Sequence, residues 1–549
     1  MDNTNEHNRR RETNNKNTKP HPIIKCYQIN LQHSRTATDN LMELIRKEEI
    51  DVAFIQEPYI IYNRVVGIPN RYRVFTSPVG KCRTATVVTN NHIDALLVQE
   101  ATDKDSVVVE LILDNLKFYT ANMYMDITEK IDTGIQKISD TLQLANRSSI
   151  LFTLDSNSRS RTWYDKLTNE RGKKLEEFLI SKQLFILNEE SEMKTFQSSR
   201  GSSNIDLTIS NHRLLKEVKE WKISEEESCS DHKIIQFCIG QYNVQQTGNI
   251  LQCTKYIVRG ENHKRFEAFL TQEIAKEMCG TCWEDIKYLD KYISSQIANT
   301  EDMEDIVNKF SEALTTACNK SFKRGRALMK TNKYKTVPWW TEDITIARKR
   351  VNAFRRKYQR TKNNNNLREQ RQTEYKVEKA QYQAKIKNAK IQSWKQYCNK
   401  VTSTNPWNIV YKSAAGKTNN SQIMSTLQKA NGLYTEDLRE TIQCTLEYLV
   451  PKDEEAEETD HHKQVRTLIE EPMDTEDDRD FTTEEIRQII KSIDYKKAPG
   501  EDGITSKILM WTFESFPRLV TSIYNGCLSK GCFPKRWKRA RILPILKPG

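Results

Sequence analysis

Through its first 240 residues the chain alternates short β-branched and aromatic runs with segments of helical period. Ile23 to Asn30, Val52 to Ile55, Thr86 to Thr89, Val107 to Leu113, Phe118 to Tyr124 and Ile150 to Leu154 read as strands. Ile205 to Ile209 and Ile234 to Ile239 continue the series. Ile131, Ile135, Ile138 and Leu142 recur at helical spacing, as do Leu175, Phe178 and Leu179. Many strands with few helices between them predict an α/β fold of two packed sheets with helices outside. Roughly 220 residues are enough to bury a sizeable core.

Beyond Thr254 the pattern changes. Residues 254–450 read almost entirely as helix, with Phe266, Phe269 and Leu270 at helix spacing. Pro338-Trp339-Trp340 is a break, and Thr341 before Glu342 has the form of an N-cap. A long basic helical stretch follows from Arg348 to Lys400, interrupted at Asn363 to Asn366. Its apolar stripe is sparse: Tyr375, Tyr382, Ile386 and Ala389. Residues 451–480 read as an acidic, flexible linker. Residues 481–549 form a further region with a helix start at Thr482-Thr483-Glu484-Glu485 and a turn cluster from Lys497 to Gly503. It ends on a strand-like run from Arg541 to Leu546. Residues 1–20 are polar and read as a disordered tail, which leaves 21–242 as the first domain.

Composition narrows the classes. Apolar residues are 37% and charged residues 29% of the 549, a balance that dilutes compact domains with solvated helices. No run of about 18 apolar residues occurs, so no membrane-spanning helix is expected. The polar N-terminus is no secretory signal. Twelve scattered cysteines make no disulfide framework and point to a reducing, intracellular compartment. Cys279-Gly280-Thr281-Cys282 has no second pair at zinc-site spacing and reads as ordinary thiols.

The net charge of +12 is unevenly placed. Ile346 to Lys400 holds 17 Lys/Arg against 3 Glu, whereas Pro451 to Asp480 holds 13 Asp/Glu against 4 Lys/Arg. A concentrated basic stripe with interleaved aromatics suits a polyanion, because neutralising phosphates releases counterions. Arg355, Arg356 and Lys357 are its candidate nucleic-acid contacts. The bland reading is a solvated helix face.

The candidate chemistry sits at strand ends, where loops display functional groups. Asn30 ends the first strand, Gln56-Glu57-Pro58 the second, Asn122-Met123-Tyr124 a central one, and Asp155-Ser156-Asn157 the run from Ile150. Asn204-Ile205-Asp206 and Ser230-Asp231-His232 open two later strands. These six polar ends carry Glu57, Asp155, Asp206, Asp231 and His232. Such a set suits a phosphodiesterase with a hard divalent cation, since oxygen ligands hold Mg²⁺ and a His–Asp pair orients or protonates. His33, His92 and His212 read as lone histidines, and Asp165, Glu189 and Glu190 as solvated charges.

In this order the motifs resemble the endonuclease/exonuclease/phosphatase superfamily, and in wording the AP-endonuclease-like domain of non-LTR (LINE-type) retrotransposons. Asp155-Ser156-Asn157-Ser158-Arg159-Ser160, then Trp163 and Arg171-Gly172, is similar to insect-type members. The resemblance covers residues 23–240 and implies a four-layered α/β sandwich with the site at one edge. It implies Glu57 as main metal ligand, assisted by Asn30 and Asp231. Asp155 would position or deprotonate the attacking water, Asn157 hold phosphate, Tyr124 contact the phosphate or transition state, and His232 act at the scissile phosphate with Asp206 orienting it. Beside Asn157, Arg159 and Arg161 read either as contacts to DNA phosphate or as surface charges. The repair members carry Asp two residues after the first Asn; here that residue is Gln32. Mg²⁺, or Mn²⁺ in its place, is the implied cofactor. Target DNA is the implied partner, with element RNA beside it, no membrane, and the nucleus as working place with the cytoplasm as a second location.

Lys497-Ala498-Pro499-Gly500-Glu501-Asp502-Gly503-Ile504, Phe533 to Lys538 and Ile545 to Gly549 resemble the start of the reverse transcriptase of the same elements, its fingers region. Trp339-Trp340 and Asn405-Pro406-Trp407 resemble the connection between the two enzymes. The palm carboxylates would follow Gly549, so no reverse transcription is expected from this chain, and 481–549 is expected to pack incompletely. The reading is a DNA endonuclease whose nick exposes a 3′-hydroxyl primer. The alternatives are a catalytically silent nucleic-acid-binding remnant and a phosphodiesterase acting on lipid or inositol phosphates.

Overall fold

Alternation along the early strands sorts their side chains onto two faces, and two sheets result. The computed structural model describes residues 23–240 apart from 79, 147, 199 and 200; 252–278; 297–326; 338–402 apart from 362 and 363; 423–450; 458–470; and 479–538 apart from 495, 496, 498 and 501. The N-terminal tail, Cys279–Cys282, Asn405-Pro406-Trp407 and the run from Arg541 lie outside the described residues.

One sheet has six strands in the order Val218–Ile223, Ile235–Ile239, Ile24–Asn30, Val52–Gln56, Thr84–Val88, Arg73–Phe75. The other has seven: Leu184–Ile186, Asp206–Asn211, Ile150–Asp155, Leu116–Tyr124, Ser106–Leu113, Asp94–Leu97, Met424–Ser425. Each is built around a parallel pair joined through one helix. Ile24–Asn30 and Val52–Gln56 are joined by Arg35–Glu48; Leu116–Tyr124 and Ile150–Asp155 are joined by Ile131–Leu144. Antiparallel strands flank both pairs.

The inner faces meet in one core: Ile24, Cys26, Val52 and Phe54 from the first sheet, Val107, Val109, Phe118 and Leu151 from the second. The opposite parity faces outward. Tyr27, Ile29, Ala53 and Ile55 pack with Leu41 and Leu44 of Arg35–Glu48. Ala121, Met123, Phe152 and Leu154 pack with Ile138 and Leu175 of the helices Ile131–Leu144 and Glu170–Ser181.

Toward one end the inner positions turn polar without changing parity. Gln28 and Asn30 continue the line of Ile24 and Cys26, Gln56 that of Val52 and Phe54, and Asn122 and Tyr124 that of Phe118. Three amides tie the sheets together there. Gln28 Nε2 donates to the carbonyls of Leu154 (3.2 Å) and Leu207 (3.1 Å), and its Oε1 accepts from the Thr208 hydroxyl (2.8 Å). Gln56 Nε2 donates to Asn122 Oδ1 (2.7 Å) and the Thr153 carbonyl (3.3 Å). Asn122 Nδ2 donates back across the gap to the carbonyls of Ile55 (3.1 Å) and Ala85 (3.0 Å).

The region 254–450 is shared between two compact units. One unit comprises Met1–Gln246 and Lys335–Lys452, the other Thr247–Tyr334 and Asp453–Gly549. In the first, the helices Glu342–Arg360 and Asn365–Thr402 cover the outer face of the six-stranded sheet. Ile344, Val351, Tyr358, Tyr375, Tyr382 and Ile386 join the core formed by Tyr27, Ile29 and Leu41. The sparse stripe is thus a docking face, and the basic stretch is part of the sandwich unit. The region is also less purely helical than its pattern suggests. Met424–Ser425 adds a parallel strand beside Asp94–Leu97, and Gln252–Tyr256 pairs with Arg324–Arg326.

In the second unit, His263–Met278 and Thr300–Ser321 pack with Ser506–Ser515 and Pro517–Ser529 through Phe266, Leu270, Met303, Trp511 and Ile523. Thr483–Ser492 adds Ile486 and Ile490 against Phe513 and Val520. The expected loose packing of the C-terminal region is corrected for 481–538: the helices from 263–321 supply the apolar partners that its own sequence lacks. Asp460–Glu470, inside the acidic stretch, is helical and solvent-facing.

Asn122→Ala leaves two carbonyls and the Gln56 amide short of partners in a closed interior. It should destabilise the sandwich by about 2–4 kcal/mol, since each unpaired buried group costs about 1–3 kcal/mol. The urea transition of the sandwich unit in the full chain measures this. A shift below about 0.5 kcal/mol, the range of an inert surface change, would mean the amide does not tie the sheets.

Candidate active site

Strand register assembles the centre. Asp155 pairs with Tyr124 across the parallel ladder and with Asp206 across the antiparallel one, so the three stand in a row over three strands. His232 completes the group from the loop before Ile235–Ile239. Its Nδ1 lies 3.0 Å from both Asp206 carboxylate oxygens, and its Nε2 lies 3.9 Å from Asp155 Oδ2. Asn30 Nδ2 donates to Asp155 Oδ2 (2.7 Å), and Asn30 Oδ1 accepts from the Gln32 amide (2.8 Å). Asp155, Asp206, His232 and Asn30 are all buried. The edge of the Phe196 ring packs on the imidazole, with centroids 4.9 Å apart.

Electrostatics follow from this crowding. Burial, and then the Asp206 carboxylate beside it, push the Asp155 carboxyl up to about 7, while His232 and Asn30 pull against the rise. Burial by itself would push the His232 imidazole down. Asp206, by charge and hydrogen bond, together with Asp155 and Glu57, outweighs it and holds the ring at about 9. Burial and the nearby Glu57 and Asp155 charges push the Tyr124 phenol up, so it stays protonated. The Arg83 guanidinium lies 5.0 Å from the centre of the Tyr124 ring.

The loops are bent to serve the row. Gln32, His33, Glu57, Asn157 and Cys229 all have φ between 45° and 62°, a left-handed conformation that non-glycine residues adopt when their surroundings hold them. Glu57 is held by its amide, which donates to the Arg83 carbonyl (2.7 Å). Its carboxylate lies 3.8 Å from His33 Nε2. Asn157 is held by its Nδ2, which donates to the Met125 carbonyl (3.0 Å). Asp231 is held by Gln32, whose Oε1 accepts from the Asp231 amide (2.9 Å) and from the Ser230 hydroxyl (3.1 Å). Gly172 fits close under the next loop: a Cβ there would lie 1.8 Å from the Arg159 carbonyl oxygen.

The expected residues do not all converge. Asn30, Tyr124, Asp155, Asp206 and His232 are brought together directly. Glu57, Asn157 and Asp231 border them. Arg161 is exposed. Arg159 is bound to Asp165 (2.9 and 2.8 Å), and Asp165 is buried rather than solvated because it also accepts from the Asn204 amide (2.7 Å). Arg355 is corrected: its side chain is 1% exposed and faces Glu227 at 3.7 Å, so it cannot meet a phosphate. Arg356 lies 3.7 Å from Glu225 and stays accessible, as does Lys357. His33 is no lone histidine, since it stands beside Glu57. Gln32 and Arg171 were noted only as motif positions, without these roles, and Arg83 was missed. Arg83 bonds Asp105 and Asp126, and Arg171 donates to the carbonyls of Glu129 (2.5 Å) and Asp126 (3.1 Å), fixing the loop after Tyr124.

Because the imidazole is held above its ordinary value of 6.5, the His232–Asp206 pair stabilises the fold fully below about pH 6.5. That contribution is lost as the pH rises through about 9. In Asp206→Asn, burial is left to dominate and the ring should titrate well below its wild-type midpoint. An NMR titration of the His232 ring measures this, and an unmoved midpoint would show that Asp206 does not hold the proton.

Residues 118–236 match the sequence model of the family described as endonuclease-reverse transcriptase. The chain is 23% identical over 499 residues to the retrovirus-related Pol polyprotein from type-1 retrotransposable element R1 of Bradysia coprophila, covering 88% of this chain and 46% of that protein. It is 24% identical over 531 residues to the putative 115 kDa protein in type-1 retrotransposable element R1DM of Drosophila melanogaster, covering 95% of this chain and 48% of that one. The chain thus spans about half the length of the curated relatives it matches. The solved endonuclease domain of TRAS1, a telomere-specific non-LTR retrotransposon, is covered in full by 40% of this chain at 25% identity, with a TM-score of 0.37. Residues 118–236 are thus similar to the endonuclease-reverse transcriptase family, and the chain is similar over nearly its whole length to proteins of R1-type retrotransposable elements.

Proposed function

We propose that the sandwich unit is a divalent-metal-dependent DNA endonuclease, and that its nick leaves a 3′-hydroxyl to prime reverse transcription of the element RNA. The observation that carries this is the buried row Tyr124–Asp155–Asp206 with His232 on Asp206 and Asn30 on Asp155. A metal suits the donors beside it. The carboxylates of Glu57 and Asp231 accept no hydrogen bond from any described residue, and the Asn30 amide oxygen adds a neutral ligand; hard oxygen donors favour Mg²⁺ or Mn²⁺. Asp155, Asp206 and His232 also lie within ligand distance of one another, but Asp206 and His232 bond each other and Asp155 is assigned to the attacking water. Glu57, Asn30 and Asp231 are therefore the proposed ligands. The metal would neutralise phosphate charge and acidify water.

The chain's own groups divide the remaining work. Asp155, with a carboxyl near neutrality, takes the proton of the attacking water. The His232 imidazolium meets the charge that develops on phosphate, and Asp206 keeps it protonated and aimed. The Tyr124 phenol and the Asn157 amide hold phosphate oxygens. Arg161, Arg356 and Lys357 contact the DNA backbone, which positions the strand without reading sequence. No helix among the described residues is long and apolar enough to cross a membrane. The second reading, binding without turnover, rests on Gln32, which is spent on holding Asp231. It predicts plasmid binding with no nicking.

Asp155→Asn and His232→Ala should each slow Mg²⁺-dependent plasmid nicking by about 10²–10⁴-fold with the fold intact. Near wild-type rates in either would refute the assignment. Glu57→Gln should raise the Mg²⁺ concentration needed for half-maximal rate while DNA affinity changes little. A rate loss that no added Mg²⁺ relieves would count against a metal role.

Much of the basic stretch is already engaged. Arg348 and Arg355 are buried, and Arg350 and Lys390 pair with Glu378 and Asp39. Lys349, Lys357, Arg360, Arg368, Lys376, Lys385, Lys387 and Lys395 remain exposed. Binding through all eight would give a slope of log affinity against log salt of about −7. Replacing Lys376, Lys385 and Lys387 by Ala should flatten the slope by about 3. An unchanged slope would mean that this face stays in solvent.

A further inference from the structure

The helices Glu342–Arg360 and Asn365–Thr402 pack not only on the sheet but also on the segment 224–233, which ends in Asp231 and His232. The longer helix holds three residues of that loop. Glu227, wholly buried, accepts from the Tyr375 hydroxyl (2.6 Å) and lies 3.5 Å from Lys379 Nζ. Gln383 Nε2 donates to the Cys229 carbonyl (3.3 Å), and Lys379 Nζ donates to the Ser230 carbonyl (3.1 Å). From the shorter helix, Arg355 faces Glu227 with its guanidinium nitrogens buried and lacking hydrogen bonds.

Stability is a poor explanation for this cluster. Buried ions with incomplete hydrogen bonding are often no better than apolar packing of the same volume. What such a cluster does well is fix the place of its members. The loop needs fixing: Cys229 sits at φ 62°, and its amide donates to Glu227 Oε1 (3.1 Å). One residue on, the Ser230 hydroxyl donates to the Asn30 carbonyl (2.8 Å), and then come Asp231 and His232. Each hold on Glu227, Cys229 or Ser230 is therefore passed within a few bonds to a proposed ligand and to the imidazole.

We propose that this helix pair is a working part of the site: Glu227, Tyr375 and Lys379 are positioning residues that set the Asp231–His232 loop from behind. The proposal rests on the endonuclease reading for its effect on rate, but not for its effect on the loop. In the full chain, Tyr375→Phe and Lys379→Met should lower kcat for plasmid nicking about tenfold, with KM within about twofold, since a misplacement near 1 Å can cost about 10²-fold. Amide hydrogen exchange across 228–232 should speed up by about tenfold, while the strands Ile24–Asn30 and Ile150–Asp155 keep their protection. Lys379→Arg, which keeps a donor for the Ser230 carbonyl, should recover most of both. Unchanged exchange in the loop overturns the proposal, and so does faster exchange at an unchanged kcat. If the unaltered chain does not nick, the endonuclease reading fails. Exchange then decides alone: faster loop exchange sustains the hold by the helices, and unaltered exchange removes it.

Discussion

The site depends on three side-chain amides that bridge the two sheets. Packed sheets stand roughly 10 Å apart, and apolar side chains fill that gap by interdigitating. Carboxylates cannot fill it that way, because an unpaired buried charge is far too costly. Gln28, Gln56 and Asn122 solve the problem by spanning the gap to backbone or amide groups of the opposite sheet. They close the sandwich with hydrogen-bonded amides just beneath Asp155 and Asp206, although the buried Gln56 Oε1 itself has no partner. The carboxylates stand on this floor of amides.

On that floor the centre is tuned by proximity. Asp155 and Asp206 are register partners, so the Asp206 charge opposes ionisation of Asp155. Asn30 and His232 answer the two carboxylates separately: an amide on Asp155, an imidazole on Asp206. This separation lets one carboxyl rise toward neutrality while the other stays committed to holding a cation. Gln32 belongs to the same design. Where an acid would add a further negative charge, its neutral amide oxygen ties down the Asp231 loop.

The longer strands were legible to within a few residues because each inner face alternates cleanly and each outer face has an amphipathic helix to meet it, whereas short strands such as Arg73–Phe75, Asp94–Leu97 and Leu184–Ile186 were not. The site residues were legible as polar ends of strands. The amide floor was not read, although its signal was present: Gln28, Gln56 and Asn122 occupy the parity of Ile24, Phe54 and Phe118. Arg355 misled because charge counts carry no facing; it lies on the same helical face as Val351 and Tyr358 and is buried with them. Gln32, Arg83 and Arg171 act through contacts between residues distant in sequence, which no local spacing encodes. The helices 342–402 looked like a connector because their apolar stripe is thin. It suffices because tyrosine hydroxyls, at Tyr375 and Tyr382, also find buried partners in Glu227 and Asn40.

The proposed role of the Asp155–Asp206–His232 group is to cut DNA and leave an extendable end. Supercoiled plasmid treated with the full chain and Mg²⁺ should become open circles. Their 3′ ends should be elongated by an added DNA polymerase without prior phosphatase treatment. The Asp155→Asn chain should leave the plasmid supercoiled. Open circles that cannot be extended, or equal nicking by both chains, would contradict it.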